Sequence, residues 1–211
     1  DKLNANSDKP YSANDVIIKI NGRGEVKLSG SSMYENSSFV KNTSSNSEIY
    51  LNCETISGTV LNTNNQGQQK YGGGFVNTNF KTIYIGPLVT SICNFAFYNV
   101  IGTNLIIDNG SVLADDYYDN SKDDSLEANK YQDGTYLIKT PFAKSNFNSI
   151  HILNCTSIGQ YALHSLYTNE LKIFEPGDIY TLNNVEYTNT ISLKSLGEYA
   201  FYNSNNQSGS I

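Results

Sequence analysis

The chain has 211 residues, 16% of them charged, and Lys+Arg 14 against Asp+Glu 20 leave a net charge of −6. An acidic balance of this kind disfavours a phosphate backbone or an anionic membrane surface as partner. No stretch carries the roughly 18 apolar residues of a spanning helix, while an apolar content of 38% is low for a globule but too high for wholesale disorder.

Residues 1–15, DKLNANSDKPYSAND, are polar and read as a flexible N-terminal tether to a single domain over 16–211. As the segment behind a removed signal peptide, the tether places the protein outside the cytoplasm. Short apolar-x-apolar triplets then recur along the chain. Val26-Lys27-Leu28 comes first, and Ile49-Tyr50-Leu51 starts 23 residues later. The Gln/Gly/Asn-rich run near 61–74 reads as an inserted loop. Its YGGGF lacks the following Lys and Ser/Thr of a phosphate cradle, so it is a return into the fold at Phe75.

Ile83-Tyr84-Ile85 and Leu105-Ile106-Ile107 start 22 apart, and Ile150-His151-Ile152 and Leu171-Lys172-Ile173 start 21 apart. A large apolar residue precedes the triplet by eight positions in four places: Phe75 to Ile83, Phe97 to Leu105, Phe142 to Ile150 and Leu163 to Leu171. Between Leu105 and Phe142 an acidic insertion, near 110–135, breaks the period; one coil with an insertion fits better than two coils, because no apolar triplet appears near residue 127. The last triplet, Ile191-Ser192-Leu193, lies close to Leu196 and compresses the final coil.

Between triplets runs a second conserved wording within the chain itself: TSICNFAFYN from Thr90, TSIGQYALHS from Thr156 and KSLGEYAFYN from Lys194. A period-two triplet is a short strand with two side chains inward and the middle one outward. One such strand cannot bury its face alone, but stacked copies form a parallel sheet with a continuous apolar column behind it. The Ala-Phe pair supplies the opposite wall, with Phe97, Phe142, Leu163 and Phe201 in the column. Gly159 and Gly197 suit a change of chain direction.

These segments, SICNFAFYN, SIGQYALHS and above all SLGEYAFYN, resemble the BspA-like, or Treponema pallidum-type, leucine-rich repeats over about residues 75–203. The resemblance implies an α/β fold: a right-handed leucine-rich-repeat solenoid with short parallel strands on the concave face and irregular turns or short helices on the convex face. It further implies a secreted or surface-anchored, adhesin-like protein that binds a host, matrix or neighbouring-cell protein or glycan, without catalytic residues.

If the triplets are strands, their middle residues form one outward stripe: Lys27, Tyr50, Tyr84, Ile106, His151, Lys172 and Ser192. Tyr suits such a surface, combining apolar area with a hydroxyl, and Ile106 is expected to stand exposed among polar neighbours. The stripe is expected to be replaceable at Tyr84 and His151 without loss of stability. Two other function classes stand beside the binding module. A parallel β-helix acting on polysaccharide would have several strands per coil and clustered acids on one sheet. A structural spacer would have no ligand at all.

No cofactor or metal is expected. His151 and His164, the two histidines, have no Cys or carboxylate at metal or triad spacing and read as solvated surface groups. Asp115, Asp116, Asp119, Asp123 and Asp124 fail the calcium-loop pattern, since counting from Asp119 places Asp124 at the glycine position and Lys130 at the acid position. Cys53, Cys93 and Cys155 belong to coils too far apart to bridge, because a disulfide needs Cα atoms within about 7 Å. Three reduced thiols are expected, at least two of them buried fillers.

Overall fold

A computed structural model describes residues 17–22, 25–26, 46–56, 60–63, 69–72, 75, 78–92, 96–97, 99–108, 141–142, 144–160, 162–182 and 184–201. Its strands, in chain order, are β1 (Ile17–Asn21), β2 (Glu25–Val26), β3 (Glu48–Asn52), β4 (Thr55–Ile56), β5 (Val60–Thr63), β6 (Gln69–Gly72), β7 (Asn79–Ile85) and β8 (Ser91–Ile92). There follow β9 (Ile101–Ile107), β10 (Asn146–Ile152), β11 (Ser157–Ile158), β12 (Tyr167–Ile173), β13 (Ile179–Leu182), β14 (Val185–Thr188) and β15 (Ser195–Leu196). Among the described residues there is no helix.

The main element is a six-stranded sheet of order β1-β3-β7-β9-β10-β12, and every neighbouring pair in it is parallel. β9 pairs directly with β10, Leu105 opposite Ile150, so no strand lies between these two in the sheet. The triplets at 49, 83, 105, 150 and 171 lie in strict register. Their first residues, Ile49, Ile83, Leu105 and Ile150, and their third, Leu51, Ile85, Ile107 and Ile152, form two fully buried rows. Burying one such side chain contributes roughly 1.5–3 kcal/mol. At the sheet's edges Ile18, Ile20, Leu171 and Ile173 are only partly buried against the same core.

The opposite wall is built of turns and two-residue ladders, where the sequence allowed short helices. β2, β4 and β8 form one parallel ladder, and β11 pairs with β15 in another. Two residues ahead of these short strands stand Cys53, Val89 and Cys155, all buried, with Leu193 partly buried in the equivalent place. The thiols of Cys53 and Cys155 donate to the carbonyls of Thr55 and Ser157 and occupy the position of an aliphatic side chain. Both are reduced; Cys93 lies outside the described residues.

Phe75, Phe97 and Phe142 stack face to face with ring centroids 5.0 and 5.1 Å apart. The backbone follows: Phe75 N–H donates to Ala96 O, Phe97 N–H to Pro141 O, and Leu163 N–H to Ala200 O. Two residues past the column, Asn99, Lys144 and Ser165 all take a left-handed conformation, at φ 53°, 60° and 55°. Only Asn favours that region; the Lys144 N–H donates to the Ser165 carbonyl of the neighbouring turn.

Glycines serve close approach. Gly102 lies between Phe80 and Phe147 in register, and a Cβ there would come within 2.6 Å of the Phe147 ring. Gly197 has no positive φ; its backbone presses on Gly159 and Gln160, where a Cβ would meet backbone atoms at 2.4–2.8 Å.

Two expectations are corrected. The segment near 61–74 contains an antiparallel hairpin, β5–β6, where a loop was expected. Ile191-Ser192-Leu193 forms no strand; instead β13–β14 make an antiparallel hairpin just before it. The tether 1–15 and the acidic insertion near 110–135, including Asp115, Asp116, Asp119, Asp123 and Asp124, lie outside the described residues.

Candidate functional site

The outward row of the sheet reads Lys19, Tyr50, Tyr84, Ile106, His151 and Lys172, each directly opposite the next. Lys27 lies outside the described residues, and its expected place in the row belongs to Lys19. The alternation Ile18-Lys19-Ile20 puts Lys19 outward in the edge strand, while Val26 joins the short ladder beside Ile56 and Ile92. Ser192 is not in the sheet at all. The register thus brings five of the seven expected residues together and substitutes a sixth.

The row is not an open surface. Phe174, immediately after β12, starts a segment that returns over the face as the β13–β14 hairpin. Tyr180, Phe174 and Leu153 close over Ile106 in a second apolar cluster, with Tyr84 and Leu182 packed against it. Ile106 is therefore 8% exposed, and the expectation that it stands out as an apolar contact point is overturned by that cover. Tyr50 is buried too, its ring 5.7 Å from that of Tyr84 and under the Lys19 ammonium at 5.6 Å.

Asp108, the residue after β9, anchors the arrangement. Its carboxylate accepts hydrogen bonds from Tyr84 Oη at 2.7 Å, Tyr180 Oη at 3.3 Å and Asn154 Nδ2 at 2.7 Å. A buried carboxylate is tolerated only when its lone pairs are satisfied in this way. Burial first, then the bond to Asp108, pushes the Tyr84 hydroxyl far above its ordinary pKa; burial and the Asp108 charge do the same at Tyr180.

Asn189 closes the hairpin at its base. Fully buried, it donates to the Phe174 and Ile191 carbonyls, and its Oδ1 accepts from the Asn154 N–H. The side-chain amide nitrogen of Asn154 is committed to Asp108.

His151 stands edge-to-face on Phe174 at 5.4 Å, with Glu170 3.9 Å from Nε2. Burial lowers its pKa, against the opposing pull of Glu170. Lys172 lies over the Phe174 ring at 4.1 Å and pairs with Asp178 at 3.6 Å. His164, expected at the surface, is buried; the column turn carries it inward beside Ser165, and burial lowers its pKa to about 4.

The hairpin also adds residues that the stripe did not include. Tyr180 and Tyr187 stack at 5.2 Å, the first buried and the second 43% exposed, and Val185 is 50% exposed. A signal for it exists in the sequence: alternating IYTL and VEYT around Asn183-Asn184, a two-residue hairpin connection. Chemically the site is an aromatic and hydrogen-bonding surface. Among the described residues no group of three or more His, Cys, Asp or Glu is placed to hold a metal ion, and no helix is long and apolar enough to cross a membrane. No protein-family model, curated protein or solved structure matches the chain.

Proposed function

We propose that the chain is a BspA-like leucine-rich-repeat solenoid, right-handed, acting as a non-enzymatic binding module at the cell surface or in the extracellular medium. In this reading it is adhesin-like and recognises an extracellular protein or glycan of a host or neighbouring cell. The hairpin and the parts of the sheet face it leaves open, at Lys19, His151 and Lys172, form the recognition surface. The observation that carries the reading is the outward row Lys19–Tyr50–Tyr84–Ile106–His151–Lys172, one residue per strand, joined to a hairpin that exposes Tyr187. Rigid aromatic groups pinned by a hydrogen-bonded framework present contact area at little ordering cost, which is what recognition surfaces require. Further support comes from the constant eight-residue offset between the large apolar residue and the following triplet at Phe75, Phe97, Phe142 and Leu163, a recurrence of the kind by which repeat arrays are known.

The test is a binding screen of the intact chain against immobilised matrix proteins and glycans. Retention of a ligand, weakened by Tyr187→Ala combined with Lys172→Ala at unchanged melting temperature, is expected. Retention of nothing in either set contradicts the proposal, as does a ligand whose affinity ignores both substitutions.

A further inference from the structure

The β13–β14 hairpin is a two-stranded sheet of its own, and β14 is its outer strand, with all four residues exposed. Asn189 N–H donates to Asp178 O, directly across the ladder. Hydrogen-bonded pairs alternate in an antiparallel ladder. Counting from that pair, Tyr180–Tyr187 and Leu182–Val185 bond inward, whereas Glu186 and Thr188 direct their N–H and C=O groups away from β13. Exposed strand edges are normally blunted by short length, by charged side chains, Lys above all, by Pro or by a bulge. β14 reads Val-Glu-Tyr-Thr, four residues with Glu186 as the one charge and no Lys or Pro, so only an acidic side chain guards its edge.

Its side chains alternate in character. Val185 and Tyr187, on the face shared with Tyr180 and Leu182, are 50% and 43% exposed. Glu186 and Thr188 occupy the other face. The charge is one-sided: residues 174–189 contain Glu175, Asp178 and Glu186 and no Lys or Arg. Lys172 offsets only Asp178.

We infer that β14 is a docking edge for an extended peptide strand that alternates apolar and basic residues. Main-chain bonds to Glu186 and Thr188 would supply affinity, as when a strand is added to an exposed edge. Val185 and Tyr187 select the apolar positions, and Glu186 selects a Lys or Arg opposite it. This inference rests on the binding-module reading and narrows its partner to a protein segment.

The probe is a nine-residue peptide of alternating Lys and Val, titrated into the intact chain and followed by fluorescence anisotropy and by amide exchange at Glu186 and Thr188. Two N-methylated forms of the peptide, blocking alternate sets of N–H groups, leave the protein untouched and so remove any doubt about folding. One form is expected to bind at least about tenfold more weakly than the parent, with the other close to it. Exchange at Glu186 and Thr188 is expected to slow, and exposed Glu186→Lys to weaken binding by a similar factor. Equal binding of all three peptides, or protection confined to other residues, overturns the inference. A chain that retains a glycan but no peptide also overturns it, leaving the binding module standing; a chain that retains neither overturns both.

Discussion

Tyr180 donates a hydrogen bond to Asp108, 72 residues earlier, and meets there the hydroxyl of Tyr84, which reaches the same carboxylate oxygen from the sheet face. Hairpin and sheet are thus fastened through one anion, and Tyr84 and Tyr180 hold the site in shape.

Tyr84 is therefore not a surface residue that can be trimmed without consequence. Tyr84→Phe removes a 2.7 Å bond to a buried carboxylate and is expected to cost about 1.5–3 kcal/mol. Tyr180→Phe loses a longer bond, 3.3 Å, and should cost about 1 kcal/mol. Urea unfolding of both variants gives the comparison; a neutral Tyr84→Phe would remove Asp108 as the anchor.

The glycine positions give a second expectation. Gly102→Ala forces a methyl group into the Phe147 ring and the Phe80 carbonyl, and should destabilise by about 1–3 kcal/mol through overpacking. At Gly197 the obstacle is backbone on both Gly159 and Gln160, so Gly197→Ala should separate β15 from β11 locally. Amide exchange at position 197, whose N–H donates to the Ile158 carbonyl, reads this directly, and unchanged protection there would show that the turn can yield.

A third concerns acid. The His164 imidazole takes up a proton near 6.5 when unfolded but only near about 4 when folded, because burial opposes its charge. Between those values the unfolded state holds more protons, so stability rises with pH across the window and falls as pH drops from 6.5 towards 4. His151, lowered by burial, acts in the same direction. His164→Gln should flatten the slope of unfolding free energy against pH in that window. An unaltered slope would mean that His164 is hydrated in the folded chain.

Much of the sheet was legible in the residues because two conditions coincide at the triplets: inward positions must be apolar in every strand, and a large apolar residue stands eight positions ahead of four of them. Lys19 was missed because Val26-Lys27-Leu28 has the same alternation as a sheet strand and lies 23 residues before Ile49, near the interval of the other triplets, while Ile18-Lys19-Ile20 lies farther off. The hairpin was hidden for a related reason. Its alternating residues imitate a strand of the main sheet, and only the Asn183-Asn184 pair marks a reversal. Asp108 offered no sequence signal whatever, since its role depends on three donors from distant points of the chain. The burial of Ile106 followed from the same omission, because nothing covers that residue until Tyr180 and Phe174 fold over it.

The central claim is that equivalent strands lie side by side at a fixed register, even across the long interval between β9 and β10. Asn104 and Ser149 are directly opposed there, joined by a 2.8 Å side-chain bond. Paired cysteines at these two positions fall within disulfide reach, and peptide mapping after mild oxidation measures the cross-link. The register predicts a near-complete bond for Asn104→Cys with Ser149→Cys and none for Asn104→Cys with His151→Cys. Cross-linking of the second pair, or of neither, would contradict it.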